Sequence, residues 1–581
     1  MSLLLDLAFA ASAAHPLGEV VPSSLLADVT TDGFELMDTV AAAELPSRID
    51  VPTFSAADES GCILGACAFA YDIELSGLFA EVELTSLDVE PDAAAQELDL
   101  AGAAVGSLNT AAEPGNLDIR VELAFIEIID SPSCDVRISP VDVDLSGDVG
   151  LDLVPNGDGT NSIDTVVSPF DWSWSADGDD VVFTGCVLAD VVNTVNDALA
   201  FFGLNIYDIM IDQLEPQIDT VVDDLPGTLE PLLDDALGGL DSTQEIDVLG
   251  TPVTLSLWPD DIEIVEEGAG AVGGVRIGFA SSIDLEPDPC VDRFGVIGSL
   301  ETPSAPPAIG NATNVAFVPS VEALVNDDFA NHFLFGLWSA GLLCTEVTDA
   351  ESLGLPFALD TTLLELVAPD SFDPLFTDAV PLIIRTAPRL PPTIDMATDG
   401  EIAVLVDGLG LDLIADVDGR AARVLGLEAA ADVGVDMPFD PSTGLLTIDI
   451  DADGAVVTPS VAYNEIDPEA SPAISAQLAL LFDLLVQPSL GTNVPPITVE
   501  VPAFGALGVT ELDVRSIVTD GPWLAAFAAL APLPEGTEPA SCSSACDTTS
   551  CTYGCATGGA TGPIALLLPL VVAALRRRPR S

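Results

Sequence analysis

Residues 326–342 of the 581-residue chain, NDDFANHFLFGLWSAGL, carry the pattern that decides the fold. Their large apolar side chains fall mostly at helical spacing and share one face: Phe329, Phe333, Leu334, Leu337 and Trp338. The segment therefore predicts a helix over 326–342, preceded by a strand at 315–318. A helix with such a face needs a sheet or another helix to cover it.

A second helix is predicted over 472–487. Ser471 is placed as its N-cap, and Pro472 takes the first helical position, where a missing N–H costs nothing. The run at 478–486 is almost wholly apolar apart from one aspartate. Such a helix must be buried or must face an apolar ligand.

The rest of the body alternates between strand and helix patterns. Runs of alternating apolar and polar residues predict strands at 79–89, 117–129, 136–145, 181–184, 246–280 and 380–464. Apolar residues at steps of three and four predict helix over 186–237. The stretch 22–49 fits a helix only partly, because Gly33 interrupts it.

The order of these elements resembles the tubular lipid-binding (TULIP) superfamily of bactericidal/permeability-increasing protein. Residues 318–343 are similar to the family's opening of a second barrel, and 387–392 (APRLPP) to its proline-punctuated strand. Cys134 and Cys186 resemble its strand-to-helix disulfide. The resemblance implies an α+β fold: two elongated barrels of antiparallel strands wrapped on long helices and joined by a central sheet, as a boomerang. Each barrel would hold a lipid acyl chain.

This organisation assigns every part of the chain. The predicted segments are a candidate incomplete signal peptide (1–14), a first lipid-binding-like barrel (15–245), a central sheet (246–300), a second barrel (301–535), a Cys/Ser/Thr-rich linker (536–555) and a hydrophobic sorting or anchor segment with an arginine cluster (556–581).

Apolar residues in the predicted barrels are the candidate lipid contacts. They are Leu25, Leu26, Val191, Val195, Leu199, Phe202, Phe329, Phe333, Leu337, Leu481 and Leu485. An open cavity lined by such residues would bind an acyl chain, since each buried methylene contributes about 0.8 kcal/mol. The alternative is a filled core, in which the same residues only pack against one another.

The strong negative charge of the chain limits the classes of partner that it can bind. The chain has 95 acidic and 14 basic residues, all of the latter arginine, for a net charge of -81, yet it is 49% hydrophobic with a mean hydropathy of +0.46. It must therefore separate acidic and apolar residues onto different faces. Nucleic acid and anionic headgroups would be repelled. The first barrel has only Arg48, Arg120 and Arg137, which argues against endotoxin capture and favours a neutral or zwitterionic lipid, a sterol or a calcium-bridged lipid.

Both ends of the chain bear on its location. Residues 1–14 have a short apolar run and small residues suited to cleavage before His15, but Asp6 and the lack of a basic start make an incomplete signal peptide. Near the C-terminus, Cys555 precedes a hydrophobic stretch and arginines at 576–580. This tail resembles the myxobacterial C-terminal sorting signal, which implies cleavage near Cys555 and surface display, with lipid on that cysteine. A plain membrane anchor is the alternative.

Ten cysteines favour disulfides and therefore export. The tail cysteines lack the paired spacing of zinc sites, and the two histidines lie elsewhere in the sequence. Neighbours in sequence suggest three pairs among 15 arrangements: Cys62 with Cys67, Cys134 with Cys186, and Cys290 with Cys344.

Two acidic segments are weak calcium candidates. They contain Asp158 and Asp164 in one case, and Asp449, Asp451 and Asp453 in the other. Closely spaced carboxylates suit calcium, but neither segment has a complete twelve-residue loop. Asp-Gly between strands is also a common hairpin turn, which is the preferred interpretation.

No enzymatic arrangement emerges from the sequence. Ser339 lacks the glycine that a nucleophile elbow requires, because Leu337 occupies that position. His332 is more typical of a structural residue, and no cofactor motif is present. We therefore expect a non-enzymatic lipid-binding protein, exported and anchored at the cell surface through its C-terminus, for lipid carriage or sensing. A structural or adhesive surface scaffold, stabilised by calcium, is the alternative.

Overall fold

The computed structural model describes residues 14–36, 48–175, 180–185, 215–231, 242–267, 272–348, 358–396, 398, 400–478, 497–500, 507–518 and 521–532, with gaps of one to four residues inside several ranges. Up to residue 285 the strands are β1 (Ala14–His15), β2 (Val21–Thr30), β3 (Arg48–Val51), β4 (Phe54–Asp58), β5 (Cys62–Ile63), β6 (Ala66–Cys67), β7 (Phe69–Ser76), β8 (Leu78–Asp92), β9 (Glu97–Leu108), β10 (Gly115–Leu123), β11 (Ile126–Pro155), β12 (Asn161–Val167), β13 (Asp171–Trp174), β14 (Val181–Thr184), β15 (Ser242–Val248), β16 (Thr251–Val265) and β17 (Gly274–Leu285). Beyond it they are β18 (Ser299–Leu300), β19 (Val321–Asn326), β20 (Glu346–Val347), β21 (Leu382–Pro388), β22 (Thr393–Asp395), β23 (Ala403–Val417), β24 (Arg420–Asp436), β25 (Phe439–Asp440), β26 (Leu445–Tyr463), β27 (Ile497–Glu500), β28 (Leu507–Ile517) and β29 (Trp523–Pro532).

Helices are few in the same ranges. They are α1 (Thr31–Phe34), α2 (Asp327–Ser339), α3 (Thr362–Val367) and a 3-10 turn at Pro468–Ala470, with further helical residues within 215–231 and 471–478. The prediction of α+β barrels wrapped on long helices is therefore wrong. The described chain is mostly antiparallel strand, and α2, its longest continuous helix, has 13 residues. The apolar faces of the described sheets are buried largely by strands of neighbouring sheets.

The partial helix expected over 22–49 is also corrected. Residues 21–30 form β2, which lies between β17 and β19 in a seven-stranded sheet. Leu25 and Leu26 are adjacent in sequence and both buried. A central strand that is buried on both faces loses its period of two, which is why the pattern was ambiguous.

Most strands of the N-terminal half form a ten-stranded antiparallel sheet. Its order is β3-β8-β9-β11-β10-β7-β4, with β12, β13 and β14 also pairing with β11. Strand β11 is 30 residues long and pairs with β10 and β14 along one part and with β9, β12 and β13 along another. This strand therefore organises the whole sheet.

The seven-stranded sheet joins distant parts of the chain. Its order is β15-β16-β17-β2-β19-β29-β28, and neighbouring strands are antiparallel. It takes strands from the segments 15–245, 246–300 and 301–535 alike. Helix α2 packs on one face of it, where Phe329, Phe333 and Leu337 contribute to the largest core cluster. That cluster also includes Ile163 of the ten-stranded sheet and Leu446 of β26, so one core connects three sheets.

A row of charged residues crosses the seven-stranded sheet. Glu263 lies opposite Arg276, and Arg276 lies opposite Asp28 on β2. Glu322 on β19 is the next residue of the row. Arg276 donates from Nε to Asp28 Oδ1 at 2.8 Å and from Nη2 to Oδ2 at 2.6 Å, and both side chains are buried. A buried ion pair is tolerated only with such complete hydrogen bonding.

The C-terminal half contains an eight-stranded antiparallel sheet. Its order is β20-β21-β23-β24-β26-β25, with β22 on β23 and β27 on β26. One face packs against Leu363 and Leu364 of α3 and against Ile474 and Leu478. Ser471 is not the N-cap predicted for that segment, because its backbone is already helical. The preceding turn is capped by a different residue, Asp467, whose carboxylate accepts from the Ala470 N–H.

Replacing Asp28 by asparagine should destabilise the protein strongly. The change removes the buried, hydrogen-bonded counter-charge of Arg276 and leaves only the half-exposed Glu263 carboxylate 3.9 Å away, which costs about 3–5 kcal/mol. Glu346→Gln is the matched control, because it removes an exposed ion pair with Arg385 and should cost at most about 1 kcal/mol. Urea unfolding followed by tryptophan fluorescence measures both. Equal costs for the two variants would contradict a structural role for the buried pair.

Candidate functional site

The ten-stranded sheet separates apolar and acidic residues onto opposite faces. On β8, Leu84 and Leu87 are partly buried, whereas Glu83 and Asp88 are exposed. On β11, apolar and acidic positions alternate in the same way over residues 141–145. Such alternation is what one buried and one solvated face require. The set of inward positions is called the apolar face below.

Strand β9 lies between β8 and β11 and carries small residues on the apolar face. Ala104 lies opposite Leu84 on one side and opposite Val143 on the other. Gly102 lies in the same way between Leu87 and Leu145. Because strands are about 4.8 Å apart, the two apolar walls stand about 10 Å from each other across a shallow floor.

The apolar face is covered at both ends and partly exposed between them. At one end, Leu98 and Leu100 pack in clusters with Phe34, Phe170 and Val222. At the other end, Leu108 and Val141 are buried. Between these ends, Leu84, Ala104 and Val143 are partly exposed. The face therefore offers a partly exposed apolar patch around Ala104.

Leu84, Ala104 and Val143 were not among the predicted lipid-binding residues. Their signal was present in the sequence, since the strands at 79–89 and 136–145 were recognised from their alternation. Alternation identifies the inward side of a strand, but it does not show which inward positions are left uncovered. Only the register of β9 with β8 and β11 shows that Gly102 and Ala104 lie between larger apolar residues.

Four of the predicted lipid-binding residues come together in the largest core cluster. Leu25, Phe329, Phe333 and Leu337 are each between 2% and 4% exposed there. In this conformation protein contacts occupy nearly all of their surface. Leu26 packs on the opposite face of the same sheet, with Leu324 and Trp523. The remaining ones, Val191, Val195, Leu199, Phe202, Leu481 and Leu485, lie outside the described residues.

Helix α2 begins at a polar cap and carries several buried polar groups. The Asn326 side chain accepts from the Asp328 N–H at 3.0 Å. Burial raises the pKa of Asp327 to about 6, and the neighbouring Asp328 carboxylate adds to the shift. Asn331 accepts from the Ile394 N–H at 2.9 Å and so ties the helix to β22. These bonds fix α2 against the strands that surround it.

His332 is buried in the middle of α2. Its Nδ1 lies 3.2 Å from Ser299 Oγ, and burial lowers the pKa of His332 to about 4, with a further lowering from His15. A serine beside a histidine resembles a nucleophile and base. Both side chains are at most 1% exposed, however, so a substrate has no surface of either to contact.

Glu322 is a buried carboxyl group at the end of the charged row. Its Oε2 accepts from the Gly310 N–H at 3.2 Å, while Oε1 has no hydrogen-bond partner. Burial raises the pKa of Glu322 to about 8, and the negative charge of Asp28 adds to the shift. The group is therefore largely protonated in the folded protein at neutral pH.

Disulfides are present among the described cysteines. Cys290 and Cys344, a pair suggested by the sequence, are bonded with a Cα–Cα distance of 6.3 Å. Cys134 is also disulfide-bonded, and Cys186 lies outside the described residues. The backbones of Cys62 and Cys67 lie opposite each other in the β5–β6 hairpin. Cys555 and the other tail cysteines are outside the described chain.

The acidic residues considered for calcium lie in two different backbone settings. Asp158 lies in the β11–β12 turn, where hydrogen bonds from the Thr160 N–H and Oγ lower its pKa. Asp164 lies three register positions away along β12, roughly 10 Å from the turn. Asp449, Asp451 and Asp453 lie along strand β26 instead of in a turn.

One other group of potential metal ligands occurs in the described ranges. It consists of Asp288, Cys290 and Cys344, whose ligand atoms lie within 4.8 Å of one another. The two sulfurs are bonded to each other, so neither is available as a thiolate. This group is therefore a disulfide beside a carboxylate.

Comparisons with known proteins give a limited result. No protein-family model and no curated protein matches the chain in sequence. Among solved structures it is similar to a crystal structure of lipopolysaccharide binding protein, with 14% identity, covering 88% of this chain and 100% of that one, at a TM-score of 0.43. It is also similar to Takeout 1 of Epiphyas postvittana, with 10% identity, covering 35% and 93%, at a TM-score of 0.20. Similarities at this level assign neither a family nor a function.

The predicted membrane anchor falls on residues 556–581, outside the described chain. Within the described part, no helix combines the length and the hydropathy that a membrane crossing requires.

The raised pKa of Glu322 predicts a specific pH dependence. Its value shifts from 4.5 to about 8, so the folded state keeps a proton that the unfolded state loses in this interval. The contribution of Glu322 to the free energy of unfolding therefore falls as pH rises from 4.5 to about 8, by roughly 1.4 kcal/mol per unit at most. Glu322→Gln should remove this fall and stabilise the protein at pH 8 more than at pH 5.

The measurement is thermal unfolding of both proteins across this pH range. Glu263→Gln is the control, since Glu263 ends the same charged row but its side chain is 54% exposed. A stability difference between wild type and Glu322→Gln that is the same at pH 5 and pH 8 would contradict the assignment.

Proposed function

We propose that this protein binds lipid acyl chains on the apolar face of its ten-stranded sheet. The observation that carries the proposal is the partly exposed patch of that face, where Leu84, Ala104 and Val143 remain exposed in part. Uncovered apolar side chains next to one another favour an apolar ligand. The resemblance of segments 318–343 and 387–392 to the lipid-binding superfamily supports the same class of ligand.

The energetics favour an acyl chain. Each methylene removed from water contributes about 0.8 kcal/mol, so the methylenes that cover the patch around Ala104 gain several kcal/mol together, with the cost of ordering set against it. The opposite face of the sheet carries Glu83, Asp88, Asp142 and Asp144 in solvent. This negative field disfavours anionic headgroups and favours a neutral or zwitterionic lipid.

The proposal places the protein outside the cytoplasm. The Cys290–Cys344 disulfide supports an oxidising compartment. The tail at 556–581, with Cys555 before it, supports surface anchoring through the resemblance to a sorting signal. Lipid binding here involves no bond making or breaking, so we propose carriage or sensing of lipid and not catalysis.

Lipid analysis of the purified protein tests the function directly. The chain is exported, purified without detergent and extracted with organic solvent, and the extract is examined by mass spectrometry beside native mass spectrometry of the protein. We expect one or two lipid molecules per chain. A lipid-free protein that also takes up no fluorescent phospholipid or fatty acid would overturn the proposal and favour a closed structural or adhesive scaffold.

A bulky side chain on the floor of the apolar face should block binding. Ala104→Phe fills the space between Leu84 and Val143, so the affinity for a fluorescent phospholipid should fall at least about tenfold, equivalent to about 1.4 kcal/mol. Ala103→Phe makes the same chemical change on the opposite, acidic face and should leave the affinity unchanged. Thermal unfolding shows whether both variants remain folded. Equal losses in the two variants would place the lipid elsewhere.

Anchoring has its own test. Cys555→Ser should release the protein from the cell surface into the medium, because it removes the proposed site of lipid attachment. Protease accessibility on intact cells and the intact mass of the surface-held form measure retention and modification. Cys551→Ser changes a neighbouring tail cysteine and serves as the control. Unchanged retention in Cys555→Ser would favour a plain membrane anchor.

A further inference from the structure

The two histidines of the chain meet in space. His15 and His332 are 317 positions apart in sequence, yet their ring centres lie 6.1 Å apart with the ring planes at 79°. His15 lies on β1, which pairs with β18, and β18 packs against α2. His15 is partly exposed, whereas His332 is fully buried. Within this pair, solvent therefore reaches only His15.

The hydrogen bonds around His332 favour one tautomer. Ser299 Oγ lies 3.4 Å from the His15 carbonyl oxygen and 3.2 Å from His332 Nδ1. When the hydroxyl donates to the carbonyl, its oxygen accepts from a proton on Nδ1. In that tautomer Nε2 carries an unshared lone pair. Nε2 is buried and has no hydrogen-bond partner.

This arrangement is typical of a metal-binding histidine. A ligating imidazole is neutral and usually donates its second ring N–H to a neighbouring oxygen. The ring separation also fits. Metal–nitrogen bonds of about 2.0–2.1 Å place two imidazoles on opposite sides of one ion with centres about 6.4 Å apart.

Two imidazoles alone are a weak site, and the chain supplies a third nitrogen when it is processed. Residues 12–14, Ser-Ala-Ala, suit signal cleavage before His15. Hydrolysis of the Ala14–His15 peptide bond consumes one water and leaves a free α-amino group on His15. That amine and the His15 ring belong to the same residue and can chelate one ion together.

We propose that the processed chain binds one copper(II) ion through the α-amine and imidazole of His15 and through Nε2 of His332. The proposal is independent of lipid binding. We choose copper(II) because it binds nitrogen ligands more tightly than the other divalent first-row metals do. It also accepts the tetragonal geometry that three such nitrogens provide. These ligands lie on β1 and α2 and not on the apolar face of the ten-stranded sheet.

Processing leaves the position of His15 intact. Removal of Ala14 takes away one of the two register pairs of β1, and the pair of His15 with Ser299 remains. The backbone of His15 lies so close to Gly298 that a Cβ there would come within 2.6 Å of its carbonyl group. Further along, the Gly18 N–H donates to the Ile283 carbonyl at 2.7 Å. The new terminus is therefore held beside His332.

The composition of the chain allows a sharp experiment. The full chain is exported with its leader, its N-terminal residue is determined, and Cu²⁺ is titrated by calorimetry and by electron paramagnetic resonance. We expect His15 at the terminus and one ion per chain, with hyperfine splitting from nitrogen ligands. Because the chain has no lysine, acetylation with an amine reagent modifies the α-amine alone.

Acetylation distinguishes the proposed site from copper bound by surface carboxylates, because it modifies the α-amine and leaves the carboxylates unchanged. It should weaken the nitrogen-ligated site more than about 100-fold, since loss of a mere second-shell partner costs about 10–100-fold. Ser299→Ala should fall within that smaller range. His332→Phe should remove the nitrogen signal of one imidazole. A mature terminus at another residue, or an affinity unchanged by acetylation, would overturn the proposal even if His332→Phe fails to fold.

Discussion

The buried pair of Asp28 and Arg276 is the interaction on which the architecture depends. It lies at the centre of a sheet whose strands come from the start, the middle and the end of the described chain. An ion pair in such a place requires both partners in register, because a slip of one residue would turn each charge to the other face. The pair therefore selects one alignment of β17 on β2, and Glu322 extends the same row to β19.

The second constraint is the separation of charge from apolar surface. A chain with a net charge of -81 and 49% hydrophobic residues can fold only if the two kinds of residue occupy different faces. The ten-stranded sheet achieves this by simple alternation. Its acidic face stays hydrated and repels anions, and its apolar face is left partly uncovered beside Ala104. Solubility and the proposed lipid binding thus come from the same sheet.

The proposed copper site uses a different part of the same framework. Helix α2 brings His332 to β18, and the short strand β1 brings His15 to the same place. Both depend on the core cluster under α2, in which Phe329, Phe333 and Leu337 are packed by protein. These three residues, which the sequence suggests as lipid contacts, hold the helix in position in this conformation. The rigid core then supports chemistry at its edge, where His15 reaches solvent.

The sequence by itself determined the features that depend on local periodicity. These are the position of α2, the strands at 79–89 and 136–145, and the strong acidity, because spacing along one segment shows which side is apolar. The tertiary structure decided what depends on distant neighbours. It made β2 a strand where a partial helix was expected, put Leu25 and Leu26 in separate cores, and replaced barrels on long helices by sheets that share a core. Register between strands far apart in sequence set these outcomes, and no local pattern contains it.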